Sequence, residues 1–327
     1  MKNERILYID YLKVMGLLLV ILAHVDCPKI IMQLRNFDVP LLVVLSGYLA
    51  AKTYQSGNEV AYYYKRIQRL AIPAWIFLII FFIVQSIAYR RPSILEVFKA
   101  VTFQRDANMV GMLWIIWVYL ICAFLIPIIY KVGYSRKVSI LLVLIFLIYE
   151  IICTITTLSD NRLIYITVIT IIPWGGVTYL GFYLDQISQK QRKIIIFISL
   201  IIFIICASIL KWRTGEFVLT SDYKYPAQLY YLSFAIPIII TLMEVFSRLY
   251  LKKNKVINFI SSSSLWIYLW HILILYIVKS IIINDELWFL QYIAIICISI
   301  LITWIQNLII KFLMQKYNLD FLKVFLG

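Results

Sequence analysis

Long apolar runs alternate with short polar connections from one end of the chain to the other. Ten runs approach span length: Ile6–Val25, Phe37–Tyr54, Leu70–Tyr89, Val110–Tyr130, Val138–Thr157, Leu163–Leu184, Ile194–Leu210, Leu229–Phe246, Leu265–Ile283 and Trp288–Ile310. A helix crossing about 30 Å of hydrocarbon needs about 20 mostly apolar residues. Apolarity that does not alternate favours helices over barrel strands. The pattern therefore predicts an all-α polytopic membrane helix bundle of about ten transmembrane helices, read as one domain over residues 1–327. Pro40, Pro73, Pro127, Pro173 and Pro237 fall within these runs. Each is expected to remove a backbone hydrogen bond and kink its helix, which can open an internal cavity.

Composition supports the membrane reading. Of 327 residues, 63% are hydrophobic and 14% charged, and the mean hydropathy is +0.92. Soluble domains are about 45–50% apolar. The net charge of +15 raises nucleic acid as a partner, but the basic residues are spread through the connections without a cluster or recognition motif. Membrane orientation accounts for them instead. With the N-terminus inside, the cytoplasmic connections hold nineteen Lys and Arg residues, from Lys2, Arg5 and Lys52 to Lys316 and Lys323. The outer connections hold eleven, among them Arg35, Arg90, Arg91, Arg162, Lys224 and Lys279. The positive-inside rule then puts both termini in the cytoplasm. The first run carries Asp10 and Lys13 and ends at His24-Val25-Asp26-Cys27-Pro28, so it reads as a span rather than a cleavable leader. Five cysteines without a Cys-x-x-Cys pair suggest neither a disulfide framework nor a zinc site.

The candidate chemistry starts from the only two histidines, His24 and His271, both inside apolar runs. An ionisable side chain is costly there and functional by default. Lys13 and His24 are separated by about three helical turns, so they project from nearly one face. At about 1.5 Å per residue His24 lies roughly 28 Å beyond Arg5, in the outer half of the bilayer, and Lys13 roughly 12 Å beyond it. The alternatives are a Lys13 that snorkels or pairs with Asp10, and a His24 that is bonded for packing. Arg66 and Arg69 lie one turn apart at the start of the third run, a spacing that suits bidentate phosphate capture and, equally, ordinary topology. Ser46-Gly47 reads as a site of close helix approach. Ser264, Tyr268 and His271 share one face of the ninth run, for chemistry or for structural hydrogen bonding. Trp212 and Tyr225, with other aromatics between Lys211 and Gln228, form either an acceptor site or an interfacial belt. Glu150, deep in the fifth run, must be paired, protonated or facing a cavity, and its partner is not legible.

These segments resemble those of the acyltransferase 3 family of bacterial integral membrane acyltransferases. Tyr8-Ile9-Asp10-Tyr11-Leu12-Lys13, ten residues and His24 are similar to that family's opening basic-x10-His pattern, with lysine where arginine is usual. Pro40 to Tyr48 resembles its Ser-Gly-aromatic segment, Arg66-Ile67-Gln68-Arg69 followed by Pro73 its cytoplasmic Arg-x-x-Arg motif, and Ser264 to His271 its late Tyr-x-x-His segment. The matches run in order over most of the chain. The resemblance implies a stand-alone enzyme of the bacterial cytoplasmic membrane that moves an acetyl or other short acyl group from acyl-CoA to a surface or lipid-linked glycan. It implies a catalytic His24 supported by Lys13, Asp10, Tyr268 and His271, donor binding by Arg66 and Arg69, and acceptor contacts from Ser46, Ser264, Trp212 and Tyr225. Acetyl-CoA enters as substrate, no cofactor or metal is resident, and a homo-oligomer is compatible with the chain. The rival class is a glycan exporter, in which the same buried polar residues line a path without covalent chemistry.

Overall fold

The structure, a computed structural model, describes residues 6–155 and 168–326. Lys2, Arg5, Thr157, Arg162 and residues 163–167 of the expected sixth span lie outside the described residues. The helices are α1 (Leu7–Leu22), α2 (Lys29–Leu34), α3 (Asp38–Thr53), α4 (Glu59–Ala88), α5 (Ile94–Val101), α6 (Trp114–Val132), α7 (Arg136–Ile155), α8 (Val168–Phe182), α9 (Gln189–Thr214), α10 (Leu229–Arg248), α11 (Lys255–Ser262), α12 (Ser264–Ile281) and α13 (Trp288–Tyr317). Short 3₁₀ segments join several of them, and no strand occurs among the described residues. The fold is an all-α polytopic bundle.

Among the described residues eight helices, α2 with α3 and the 3₁₀ turn before α6 included, are long and apolar enough to cross a membrane. α1 and α8 are shorter, at 16 and 15 residues. Pro73, Pro127, Pro173 and Pro237 lie inside helices. Pro40 departs from the expectation. It falls in the first turn of α3, where the N–H has no intrahelical partner to lose.

The described residues form two compact units. One lies within Met1–Leu12, Pro28–Gly57 and Ile121–Leu251. Here α3 and α8 meet backbone to backbone: a Cβ on Gly47 would stand 2.5 Å from the Thr178 carbonyl oxygen, and one on Gly181 2.3 Å from that of Val44. Only glycine permits this approach, as Ser46-Gly47 led one to expect. α7 buries only Tyr149 and no side chain of α9 is fully buried, so both leave much of their apolar surface open, as spans facing lipid do. Glu150 has a partner after all: its carboxylate accepts the Leu229 N–H at 2.9 Å and so satisfies the first turn of α10.

The same unit buries three charges, of which Arg35 and Lys224 stand in connections that gave no reason to bury them. Arg35 and Asp38 form an ion pair, and Lys224 reaches the other oxygen of Asp38 at 3.3 Å. All three side chains are 6% exposed or less. Asn36 donates to Thr220 at 2.7 Å, and Gln33 accepts the Thr220 N–H at 2.9 Å. This network ties α2 and α3 to the 3₁₀ turn Thr220–Tyr223.

The second unit lies within Lys13–Cys27, Asn58–Leu120 and Lys252–Gly327. α12 and α13 run antiparallel, since Asn307 donates to Ser263 at 3.0 Å and Gln291 to the Ile282 carbonyl at 2.9 Å. Gln291, Ser299, Thr303 and Asn307, together with Ile295, form the buried seam of α13 at four-residue spacing. Small and polar side chains on one stripe are how membrane helices approach closely.

Candidate active site

In the second unit, the stretch from Lys13 in α1 to Asp26 beyond its end is aligned with the stretch from Ser261 at the end of α11 to Lys279 in α12 by three contacts. Lys13 Nζ donates to the Ser261 carbonyl at 3.5 Å. Further along, the His24 and His271 rings lie 5.4 Å apart at 31°. Beyond them Lys279 pairs with Asp26 at 2.7 Å. The residue numbers rise together on both segments, so they run parallel. Lys13 and His24 therefore turn toward the same stretch of chain, from Ser261 to His271. α1 stops at Leu22, however, and His24 sits in the turn that follows rather than inside the helix.

The two histidines have different surroundings. His24 is partly exposed, whereas His271 is 0% exposed. His271 Nδ1 meets the carbonyl of Tyr268, one turn earlier on α12. A carbonyl only accepts, so Nδ1 carries the proton and Nε2 is an acceptor. That Nε2 is buried with no hydrogen-bond partner among the described residues. Tyr268 packs its ring 4.8 Å from that of His271 and donates its hydroxyl to the Met112 carbonyl at 2.5 Å. Tyr276 does the same to Met109 at 2.7 Å. Two tyrosines of α12 thus hold the 3₁₀ segment Asn108–Leu113 beside the histidines. Ser264 is half-buried at the first turn of α12.

α4 runs parallel to α12, with Phe77 against Trp270 and Phe81 against Tyr276. The helix begins at Glu59, so Arg66 and Arg69 stand within it rather than ahead of it. They lie about 16 and 12 Å before Phe77 along the axis, and Lys13 lies about 14 Å before Leu22, the last helical residue ahead of His24. The arginines and Lys13 are therefore offset from the imidazoles by similar axial distances. Arg66 stacks over the Tyr62 ring at 5.0 Å, and Arg69 is exposed.

Asp10, Ser46, Trp212 and Tyr225 belong to the first unit. Asp10 is buried on α1, Ser46 is half-buried beside Gly47, Trp212 is 86% exposed near the end of α9, and Tyr225 lies under the Lys224 ammonium at 5.8 Å. Among the described residues no three His, Cys, Asp or Glu side chains gather as a metal ion would need. The Met112 and Met109 carbonyls, the Asp26–Lys279 pair and the polar seam of α13 were not foreseen from the sequence. Only the seam left a signal, in the four-residue spacing of its polar positions.

The profile of the acyltransferase 3 family, described as "Acyltransferase domain", matches residues 6–307. The chain belongs to this family. No curated protein and no solved structure gives a significant match. As a family member with many apolar helices it is a multi-pass membrane acyltransferase. The matched segment contains every residue of the histidine pair and its surroundings named above, from Lys13 to Lys279.

Proposed function

We propose that the protein acts in the bacterial cytoplasmic membrane, moving an acetyl or other short acyl group from cytoplasmic acyl-CoA to a hydroxyl of an extracytoplasmic or lipid-linked glycan. One observation carries this reading: the only two histidines of an acyltransferase meet ring to ring, one of them partly open. Arg66 and Arg69 hold the CoA phosphates as paired guanidiniums. The pantetheine arm then covers the axial offset to His24, along the side on which Lys13 lies.

At His24 the glycan hydroxyl gives its proton to the imidazole while its oxygen attacks the thioester carbonyl carbon. The new C–O bond forms, the tetrahedral oxyanion collapses, the C–S bond breaks, and His24 returns the proton to the CoA sulfur. Tyr268 has one hydroxyl proton and spends it on Met112, so its part is to hold His271 and the 108–113 segment.

The test is acetyl-CoA turnover by purified protein in lipid discs. His24→Ala should lose about 100-fold or more of wild-type turnover, and full retention at matched expression rejects the assignment. The Arg66→Ala/Arg69→Ala double variant should bind CoA about tenfold more weakly or worse, with the wild-type affinity falling as salt rises. Unchanged affinity rejects the phosphate clamp.

A further inference from the structure

His271 cannot touch a substrate, because none of its surface is open. Its ring is nevertheless held firmly. The Tyr268 carbonyl takes the Nδ1 proton, and the Tyr268 hydroxyl is itself fixed on Met112. What remains is a buried lone pair on Nε2 with no partner among the described residues. Buried acceptors left in that state are rare and call for a donor. The neighbouring ring is that of His24, 5.4 Å away between centroids. An N–H···N bond of about 3 Å spaces two imidazole centroids by about 5 Å. A small tilt of the partly exposed His24 ring completes such a bond.

We infer that His271 is a positioning residue that accepts a ring N–H of His24 and thereby decides which His24 nitrogen faces the reacting groups. The inference rests on the acyl-transfer reading above. An imidazole whose proton is committed to His271 must present its other nitrogen as a lone pair, the form a general base requires. When that nitrogen takes the hydroxyl proton, both His24 nitrogens donate, and the bond to His271 strengthens as the charge develops. The proton then passes to the thiolate sulfur as the C–S bond breaks. His271 neither gains nor loses a proton in the cycle.

Because the chain has two histidines, ¹⁵N-histidine labelling gives two imidazole spin systems, and His24→Gln assigns them. In wild-type protein in lipid discs, His271 should be protonated at Nδ1 and bare at Nε2, and His24 should occupy one tautomer. His271→Phe keeps a ring but removes the acceptor. It should give His24 a mixture of tautomers and lower kcat at least about tenfold, with KM for acetyl-CoA within about twofold of wild type. His271→Gln restores an acceptor oxygen and should recover most of both effects. A protonated His271 Nε2, mixed His24 tautomers in the wild type, or an unchanged His24 spectrum in His271→Phe overturns the inference, as does retained kcat in that variant. If His271→Phe does not fold, the wild-type spectrum alone decides. Retained turnover in His24→Ala defeats the base assignment instead, while the spectra still judge the bond between the rings.

Discussion

Asp38 lies between two cations in a place with almost no water. Its carboxylate meets Arg35 on one oxygen and Lys224 on the other, and its side chain is 1% exposed. Removing one partner of a buried ionic cluster costs far more than the cluster contributes, because the remaining charges stay desolvated. Asp38→Asn keeps the shape and removes the charge that Arg35 and Lys224 share. Thermal unfolding in detergent should show a loss of about 3–5 kcal/mol. A loss no larger than that of an exposed pair, such as Lys52→Ala beside Asp185, would mean that water reaches the cluster. None of this was legible from the sequence, where Arg35 and Lys224 stand in polar connections that look solvated. Their burial depends on a loop nearly 190 residues away folding back on α3. Lys13, His24 and His271 were easier to single out, since a polar residue within an apolar run is conspicuous wherever the chain goes.

Elements were legible to the extent that one period governs them. Among the described residues each of the ten apolar runs corresponds to a helix, because an unbroken apolar stretch in lipid has few other ways to satisfy its backbone. The ends drifted where local chemistry extends a helix past its apolar part. α4 starts eleven residues before the expected Leu70, with Asn58 capping it by accepting the Ala61 N–H. α1 ends three residues short of Val25, and that leaves His24 in a turn. The short helix α5 was not foreseen, although its signal is present: Ser93 and Glu96 form a reciprocal capping box. Glu96 also receives two hydrogen bonds from Arg90 and one from Asn108. The Arg90 guanidinium, first among these, pulls the Glu96 carboxyl down to about 2. A carboxylate whose folded value is depressed adds stability that is fully present above the ordinary value of about 4.3 and disappears as pH falls toward the folded value. Amide exchange over residues 93–108 should therefore quicken between about pH 4.5 and pH 2 relative to its intrinsic rate. In Glu96→Gln that added pH dependence should vanish, and its persistence would place the cause elsewhere.

At the scale of the whole molecule, donor and acceptor are proposed to approach from opposite sides of the membrane, so the reading depends on which connections face the cytoplasm. On the reading that the bias of Lys and Arg puts both termini inside and that each of the ten helices matching an apolar run crosses once, every connection between them has an assigned side. The turn between α3 and α4 carries Ser56 and should face the cytoplasm, the side from which Arg66 and Arg69 are proposed to meet CoA. The connection between α9 and α10 carries Glu216 and should face out, toward the glycan. Both residues are exposed, so single cysteines there are open to a maleimide that cannot cross membranes. The native cysteines are buried or partly buried, except Cys297, which lies within the apolar span α13 where a charged reagent does not go. On intact spheroplasts Glu216→Cys should label at once, and Ser56→Cys only after permeabilisation. The reverse pattern would invert the protein and turn the arginine pair away from the CoA pool. Equal labelling of both sites on intact spheroplasts would mean that the number of crossings between them is even, so that one helix between them does not cross; the two short candidates are α1 and α8. Only α8 lies between Ser56 and Glu216 in the chain. That outcome would therefore identify α8, at 15 residues, as a helix that enters the membrane without crossing it.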